Sequence, residues 1–410
     1  MAIYTHQFDN GLALLAEEMP WLESAAFALL LPGGCVYDPP NRLGLANLTC
    51  ELAQRGSGSR DSRQFLEDLE LLGVDSSSSV ATSHVSFGGA MPAENLEAAL
   101  TIYADLVRRP HLPEDQLDDA RLTCQQEVRA VEDDLAHKVM QRLRERQYPA
   151  PFGRASYGTE AGLEAASVAD VRDLHGRTYN PRSAILSVAG KIDWPRLRDF
   201  IAKLFGDWQA RPAQEIKPND AVRGVEHLSQ ESAQTHIGLS YDGLPYSHAD
   251  YYEARAAIGV LSDGMSSRLF TEVREKRGLS YSVYAYCHSL RDRGAVFSYA
   301  GTSTERAQET LDVLVAEIRR LADGVAPDEL DRLKSRLKSS LILQQESSSQ
   351  RSGAMASEWY HLGRLQTLEE LGGIVDNLSV EKINKYLAAN PPGRFTIVTL
   401  GGKPLTMPIE

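Results

Sequence analysis

The 410-residue chain has few of the features that mark disulfide-stabilised or membrane-spanning proteins. Its four cysteines, Cys35, Cys50, Cys124 and Cys287, are widely scattered and form no Cys-x-x-Cys pair, so neither a disulfide framework nor a zinc ribbon is indicated. No run of 18 apolar residues occurs, and the N-terminus lacks the basic start and apolar core of a signal peptide. We expect a cytoplasmic protein, or a periplasmic one if a signal peptide has been removed.

Positive charge is also in deficit. The chain has 43 Lys and Arg residues against 56 Asp and Glu residues, a formal net charge of -13. Proteins that bind nucleic acid or anionic membranes usually carry a basic excess, so neither is expected as a partner. Glycine-rich phosphate-binding motifs are absent as well, which argues against a nucleotide enzyme.

An internal duplication organises what is present. The segment Ser62–Gly73 shares serine, arginine, phenylalanine, glutamate and glycine at matching spacings with the segment Ser267–Gly278. Further on, each half repeats a Leu/Ala-rich helical stretch, a proline-started helix and a late apolar strand. A repeat of this length predicts two copies of one structural unit.

The duplication predicts an α+β fold of two related units, each a largely antiparallel sheet covered by helices. Apolar residues at helical spacing in one stretch and strand-like alternation over 282–289 support this assignment. The polar stretch near Pro212 and Pro218 is typical of a linker. We therefore expect an N-terminal domain over 1–210, a linker over 211–224 and a C-terminal domain over 225–410.

Several short motifs spread along the chain resemble the insulinase/pitrilysin metallopeptidases, in the short branch that includes mitochondrial processing peptidase. They are Gly44-Leu45-Ala46, Tyr157-Gly158-Thr159, Tyr179-Asn180-Pro181, Phe205-Gly206-Asp207-Trp208, Gly264-Met265-Ser266-Ser267-Arg268-Leu269-Phe270 and Arg274-Glu275-Lys276-Arg277-Gly278-Leu279-Ser280-Tyr281-Ser282-Val283. The resemblance implies a processing-peptidase-like fold, in which pairs of such units close over an unfolded peptide. It also implies a zinc site on the helix that follows Gly44.

That zinc site is degenerate in this chain. The family motif His-x-x-Glu-His falls on Asn47, Cys50 and Glu51, and the resemblance places the third ligand at Glu127. Both histidines and the general-base glutamate are missing, so water activation by this route should fail. We expect no metal cofactor in this chain.

A different metal site built from Cys50, Glu51 and Glu127 is an alternative. Cys50 and Glu51 are adjacent on the predicted helix and point about 100° apart, whereas ligands on one helix need i, i+3 or i+4 spacing. The ten histidines are nowhere paired at helical spacing. A helix retained for packing is the favoured interpretation.

The second half keeps the other part of the family site, Arg274 and Tyr281. Gly278 should end the helix that carries Arg274, and the chain reversal should bring the arginine and the phenol to one opening. By resemblance, this pair stabilises the peptide carbonyl during attack. A dipole-favoured arginine and a strand-forming tyrosine are the alternative interpretation. The equivalent positions of the first half, Leu69 and Ser76, do not carry the pair.

A substrate strand is expected near the degenerate site. The family pairs its peptide with an edge strand by strand addition, which here should lie around 78–87. The candidate substrate-binding residues are Ser78, Ser79, Val80, Ala81 and Thr82. A flexible polar hairpin is the alternative for this serine-rich stretch.

Two functional hypotheses follow. In the first, the chain is a noncatalytic subunit of a heterodimeric zinc peptidase, inactive alone, whose zinc resides in a His-x-x-Glu-His partner. In the second, it is an inactive homologue that acts as a scaffold or peptide-binding homodimer. Unfolded peptide is the expected substrate in either case.

Overall fold

The computed structural model describes residues 2–344 and 346–407. They form two compact units, each built on one sheet covered by helices. The expected α+β fold with two helix-covered sheets is therefore confirmed. Within the described ranges, no helix combines the length and apolar character that crossing a bilayer requires.

The first unit is built on a six-stranded sheet in the order β1-β2-β6-β3-β5-β4. Only β2 and β6 run parallel to each other. The strands are β1 (Ile3–Gln7), β2 (Ala13–Glu18), β3 (Ser24–Pro32), β4 (Asp75–Val80), β5 (His84–Pro92) and β6 (Ile185–Gly190). Strand β6 is fully buried, as expected for a central strand covered on both faces.

Some helices of the first half of the chain have clear start signals, such as the capping boxes at Asp61 and Ser167. They are α1 (Leu45–Ala53), α2 (Ser62–Leu71), α3 (Leu96–Arg108), α4 (Leu117–Asp133), α5 (Leu135–Gln147), α6 (Glu160–Ala165), α7 (Val168–Thr178) and α8 (Trp194–Phe205). Residues 211–223 carry neither helix nor strand.

The second unit is built on a five-stranded sheet in the order β7-β11-β8-β10-β9. Its strands are β7 (Val225–Ser229), β8 (Gln234–Gly243), β9 (Ser280–Ser289), β10 (Gly294–Ser303) and β11 (Thr396–Gly401). The helices of the second half are α9 (Tyr251–Ser262), α10 (Ala307–Arg319), α11 (Pro327–Gln344), α12 (Ser348–Leu362), α13 (Leu368–Asn377) and α14 (Val380–Ala389), together with a π-helical turn over Phe270–Glu275.

The two sheets repeat one topology. Strands β2, β6, β3, β5 and β4 of the first sheet correspond to β7, β11, β8, β10 and β9 of the second. The parallel pair recurs at the same place, since β7 and β11 are parallel and every other pair is antiparallel. Strand β1 has no counterpart in the described part of the second sheet.

Each unit takes one helix from the other half of the chain. The first unit comprises the chain up to Ala130, Ala150–Asn219 and Gln344–Leu365, and the second comprises Val131–Pro149, Asp220–Leu343 and the chain from Gln366 onward. Helix α12 therefore packs on β3 and β6 of the first sheet, and helix α5 packs on β8 and β11 of the second. The two exchanged helices occupy equivalent places in the repeat.

An arginine–glutamate pair fastens each exchanged helix to its sheet. On the first sheet, Arg351 of α12 donates to Glu17 of β2 at 2.7 Å, and both side chains are completely buried. On the second sheet, Arg142 of α5 donates to both oxygens of Glu226 on β7 at 2.8 and 2.9 Å, with both side chains partly exposed. The same pair thus recurs in two different solvent environments.

Candidate functional site

Helix α1 begins at a buried carboxylate. Asp38 accepts hydrogen bonds from the backbone N–H groups of Gly44, at 2.8 Å, and Ala46, at 2.7 Å. Gly44 has φ +101°, a conformation that favours glycine, and Leu163 and Tyr157 leave no room for a Cβ there. Burial raises the pKa of Asp38 to about 7, against the opposing influence of the two N–H donors.

The exposed face of α1 carries two of the degenerate zinc positions. Asn47 and Glu51 lie one turn apart, and the Asn47 amide donates to the carboxylate of Glu127 on α4 at 2.7 Å. The structure therefore brings Glu127 to the place that the family resemblance implies. Glu51 is engaged by Arg55 at 2.8 Å, one turn further along the helix.

Cys50 points away from this face. Its side chain is only 4% exposed, and burial raises the pKa of its thiol to about 12. A thiol with so high a pKa stays protonated at neutral pH and is a poor nucleophile or metal ligand. Beside it, the Gln54 amide donates to the backbone oxygen of Cys50 and to the Ser78 hydroxyl, at 3.0 and 3.2 Å.

These residues do not fit a zinc ion. Asn47 offers only a neutral amide oxygen in place of a histidine nitrogen, one oxygen of Glu51 is paired with Arg55, and the Cys50 thiol is buried and stays protonated. Over the described residues, no group of three or more histidine, cysteine, aspartate or glutamate side chains is arranged to hold a metal.

The edge strand beside α1 is shorter than expected and begins earlier. It is β4, Asp75–Val80, so the expected edge strand over 78–87 is wrong in its bounds, because the chain turns back after Val80 into β5, an inner strand. Ser78, Ser79 and Val80 lie on β4. Ala81 and Thr82 lie in the turn, where their carbonyl oxygens accept from the N–H groups of Cys35 and Val36. Those two residues are therefore not at an open strand edge.

Arg274 and Tyr281 meet, as the sequence predicts. The Arg274 guanidinium carbon lies 4.5 Å from the centre of the Tyr281 ring, and one guanidinium nitrogen donates to the Tyr281 carbonyl oxygen at 3.0 Å. Gly278, with φ +57°, makes the reversal between them, and its N–H bonds to the Arg274 carbonyl oxygen. The Tyr281 side chain is 84% exposed, so its hydroxyl is open to solvent.

The helix that carries Arg274 is wound differently from its counterpart. In α2 of the first half, Phe65 and Leu69 are buried in the core. Their equivalents in the second half are Phe270 and Arg274, yet the buried residues there are Leu269 and Val273, one position earlier. The π-helical turn over Phe270–Glu275 accompanies this shift, and it turns Arg274 off the core.

Phe270 also contacts Arg274, although it is not among the candidate site residues predicted from the sequence. Its ring centre lies 4.8 Å from the Arg274 guanidinium carbon. The sequence signals that could have found it are its place in the duplicated segment and its position four residues before Arg274. Arg268 of the same motif is structural, since it forms a two-bond ion pair with Glu329 at the start of α11, both at 2.7 Å.

Comparison with known proteins identifies the family. A family model described as "Insulinase (Peptidase family M16)" matches residues 14–160, and one described as "Peptidase M16 inactive domain" matches residues 165–337. The chain belongs to the insulinase family of metallopeptidases, peptidase family M16.

Relatives that match along nearly the whole chain are named as zinc proteases. An uncharacterized zinc protease of Rickettsia bellii is 25% identical over 92% of each chain. An uncharacterized zinc protease of Bacillus subtilis is 26% identical over 93% of each chain.

Solved structures share the fold. The crystal structure of a peptidase M16 inactive domain from Pseudomonas fluorescens superimposes with a TM-score of 0.89, at 22% identity and with 100% of both chains covered. A protease from Helicobacter pylori gives a TM-score of 0.87, at 20% identity and with 98% of this chain and 100% of that chain covered.

Proposed function

We propose that this chain is the zinc-lacking subunit of a heteromeric M16 peptidase. In this proposal, a paralogous subunit with an intact His-x-x-Glu-His motif supplies metal and general base. This chain contributes Arg274 and Tyr281 as donors to the peptide and to the oxygen that becomes negative during attack. The observation that carries the proposal is the pairing of these two side chains at an exposed position of the second unit.

The donor pair suits a developing oxyanion. A guanidinium offers fixed N–H donors and a full positive charge, and a phenol offers one further O–H donor. Donors that are already oriented stabilise negative charge without reorganising during the reaction. The ring contact and the bond to the Tyr281 carbonyl hold Arg274 near the phenol before any peptide arrives.

The chain's own degenerate zinc positions support a division of labour. Asn47 donates to Glu127 and Glu51 is paired with Arg55, and none of these positions supplies the histidine ligands or the general-base glutamate of the family motif. Strand β4 keeps an exposed edge with Ser78 and Ser79, where an extended peptide can add by main-chain pairing.

The test is reconstitution. The chain is co-purified from its source cell, and any M16 paralogue with the intact motif is mixed with it and assayed on unfolded peptides. We expect little activity from this chain alone and clear activity from the mixture. Arg274→Ala or Tyr281→Phe should lower kcat about 100-fold, the cost of losing one oriented donor.

Tyr284→Phe is the matched control, because Tyr284 is another partly exposed tyrosine of β9. It should leave kcat unchanged. Full activity of a mixture that carries both Arg274→Ala and Tyr281→Phe would contradict the proposed role.

A scaffold or peptide-binding homodimer is the second candidate. The contacts of Asn47 with Glu127 and of Glu51 with Arg55 favour it, because side chains that bond to one another in place of a metal are compatible with a non-catalytic role. It predicts that the pure chain binds unfolded peptide, that no paralogue restores activity and that Arg274→Ala has no effect on binding.

A further inference from the structure

The Arg274 guanidinium contacts two aromatic rings rather than one. Its central carbon lies 4.5 Å from the Tyr281 ring centre and 4.8 Å from the Phe270 ring centre. Both distances are within the range of about 6 Å over which an aromatic face attracts a cation. Phe270 therefore contacts the Arg274 guanidinium from the helix that precedes Arg274 in the chain, whereas Tyr281 contacts it from the strand that follows.

Phe270 is not needed to fill the core at this place. In the first half, the equivalent Phe65 is buried among apolar residues and is only 2% exposed. In the second half, Leu269 and Val273 take over that packing and are both completely buried. The Phe270 ring is only partly buried and is free to serve another contact.

The π-helical turn explains both why Phe270 is not part of the core and why it lies beside Arg274. A widened turn changes which residues face the core, and here the buried face moves one position toward the N-terminus compared with α2. Phe270 and Arg274 leave the core together, because they lie four residues apart on the same side of the turn. Had Arg274 moved alone, its guanidinium would have only the Tyr281 ring beside it.

We propose that Phe270 is a positioning residue, whose ring holds the Arg274 guanidinium in the orientation that serves the peptide. This inference rests on the proposed function of the Arg274 and Tyr281 pair. Phe270 itself donates no hydrogen bond to a peptide. It limits the rotamers of a long, flexible side chain before the peptide binds, which lowers the ordering cost of binding.

The first measurement concerns the contact alone. Arginine side chains are labelled in the full chain, and Arg274 is assigned by the signal that disappears in Arg274→Lys. We expect its signals to be shifted by the ring currents of two aromatic faces. Phe270→Leu, which keeps an apolar side chain without a ring, should remove part of that shift, and Phe270→Tyr should retain it.

Phe395→Leu is the matched control. Phe395 faces another arginine of the second unit, Arg319, at 5.7 Å, so this variant makes the same chemical change away from the pair. It should leave the Arg274 signals in place. An unchanged Arg274 shift in Phe270→Leu would overturn the proposal at this step.

The second measurement is the affinity for an unfolded peptide, with the reconstituted heteromer where a paralogue is found and with the pure chain otherwise. Phe270→Leu should weaken binding about two- to five-fold, the range of one exposed cation–aromatic contact, while Phe270→Tyr should restore it. Unchanged affinity in Phe270→Leu, with weakened affinity in Arg274→Ala, would overturn the positioning role alone. Unchanged affinity in both variants would overturn the proposed function of the pair as well.

Discussion

The two units share a strand order but differ in whether the polar side chains of the candidate site bond to neighbouring side chains or stand exposed to solvent. In the first unit, side chains on the face of α1 that the family resemblance assigns to zinc bond to neighbouring side chains, in the pairs Asn47–Glu127 and Glu51–Arg55. In the second unit, the Arg274 and Tyr281 pair stands at the surface, with the tyrosine almost fully exposed. The two units thus share their strand order, whereas the exposed arginine–tyrosine pair belongs to the second unit.

The ion pairs of the exchanged helices differ in the same direction. Arg351 and Glu17 are completely buried in the first unit, whereas Arg142 and Glu226 are partly exposed in the second. The same type of ion pair, formed by the two exchanged helices with corresponding strands, should therefore have very different effects on stability. Four substitution experiments test whether the two units differ in metal binding, in stability and in its pH dependence.

The largest expected effect is a gain of metal in the first unit. The triple variant Asn47→His, Cys50→Glu and Glu51→His places two histidines one turn apart, beside a Glu127 that already lies within hydrogen-bonding distance of position 47. Zinc should then bind with a free energy on the order of 10 kcal/mol, the low end for protein zinc sites. Metal analysis after dialysis checks this, with the native chain and a quadruple variant that adds Glu127→Gln as controls. A folded triple variant without zinc would show that the scaffold of the site has been lost with its ligands.

The next largest effect is a loss of stability on breaking the buried ion pair. Arg351→Met leaves the Glu17 carboxylate buried without its partner and should lower the free energy of unfolding by about 3–5 kcal/mol. Arg142→Met, its counterpart, should cost no more than about 1 kcal/mol, because Glu226 keeps Arg146 at 3.2 Å and contact with water. Denaturant unfolding measures both. The double variant Glu17→Met with Arg351→Met should recover most of the loss, and equal costs at the two arginines would break the contrast.

A pH effect comes from the start of α1. The folded chain holds the Asp38 proton up to a pKa of about 7, whereas the ordinary value is 3.8. The stabilising contribution of this group is therefore fully present below about pH 4 and is lost as the pH rises through 7. The expected size is about 4 kcal/mol, because the two pKa values differ by about three units and one unit corresponds to about 1.4 kcal/mol. Asp38→Asn should remove this component, seen as a smaller fall in unfolding free energy between pH 4 and 7. Asp250→Asn is the control in the second unit, because Asp250 precedes α9 without capping it through its side chain.

The smallest effect should be equal in the two units. Gly73 and Gly278 end the equivalent helices with φ of +64° and +57°, and a Cβ would meet only Pro92, at 3.6 Å, in the first case and nothing in the second. Either glycine-to-alanine change should cost about 1 kcal/mol through backbone strain alone. Thermal unfolding compares them. A much larger loss of stability in Gly278→Ala than in Gly73→Ala would mean that the π-helical turn requires a glycine after it, whereas α2 does not.

The sequence was informative where the decisive signal is local or repeated. The duplication predicts two helix-covered sheets, and the glycine at position 278 predicts the reversal that brings Arg274 to Tyr281. Glu127 could be placed near Asn47 only through the family resemblance, because the two positions are 80 residues apart in the chain. The roles of these residues stay predictions.

Other features could not be predicted, for reasons that lie in packing. Ser62–Gly73 and Ser267–Gly278 have matching spacings, so nothing in the pattern shows that one winds as an α-helix and the other contains a π-helical turn. The sequence predicts an edge strand that begins too late, because the serine-rich residues of β4 show no apolar alternation that would fix its bounds. The exchange of α5 and α12 depends on long-range contacts that helical periodicity does not encode.

The exchanged helices change what a fragment of this protein would be. A piece that ends before residue 211 would contain the first sheet without the helix that carries Arg351, and it would leave buried apolar surface and the Glu17 carboxylate uncovered. The complementary piece would lack α5 and the arginines that engage Glu226. We expect neither half to fold stably by itself, whereas a single cut between residues 211 and 223 would remove none of the residues that make these contacts. Each half of the chain thus supplies one helix that covers the sheet formed by the other half.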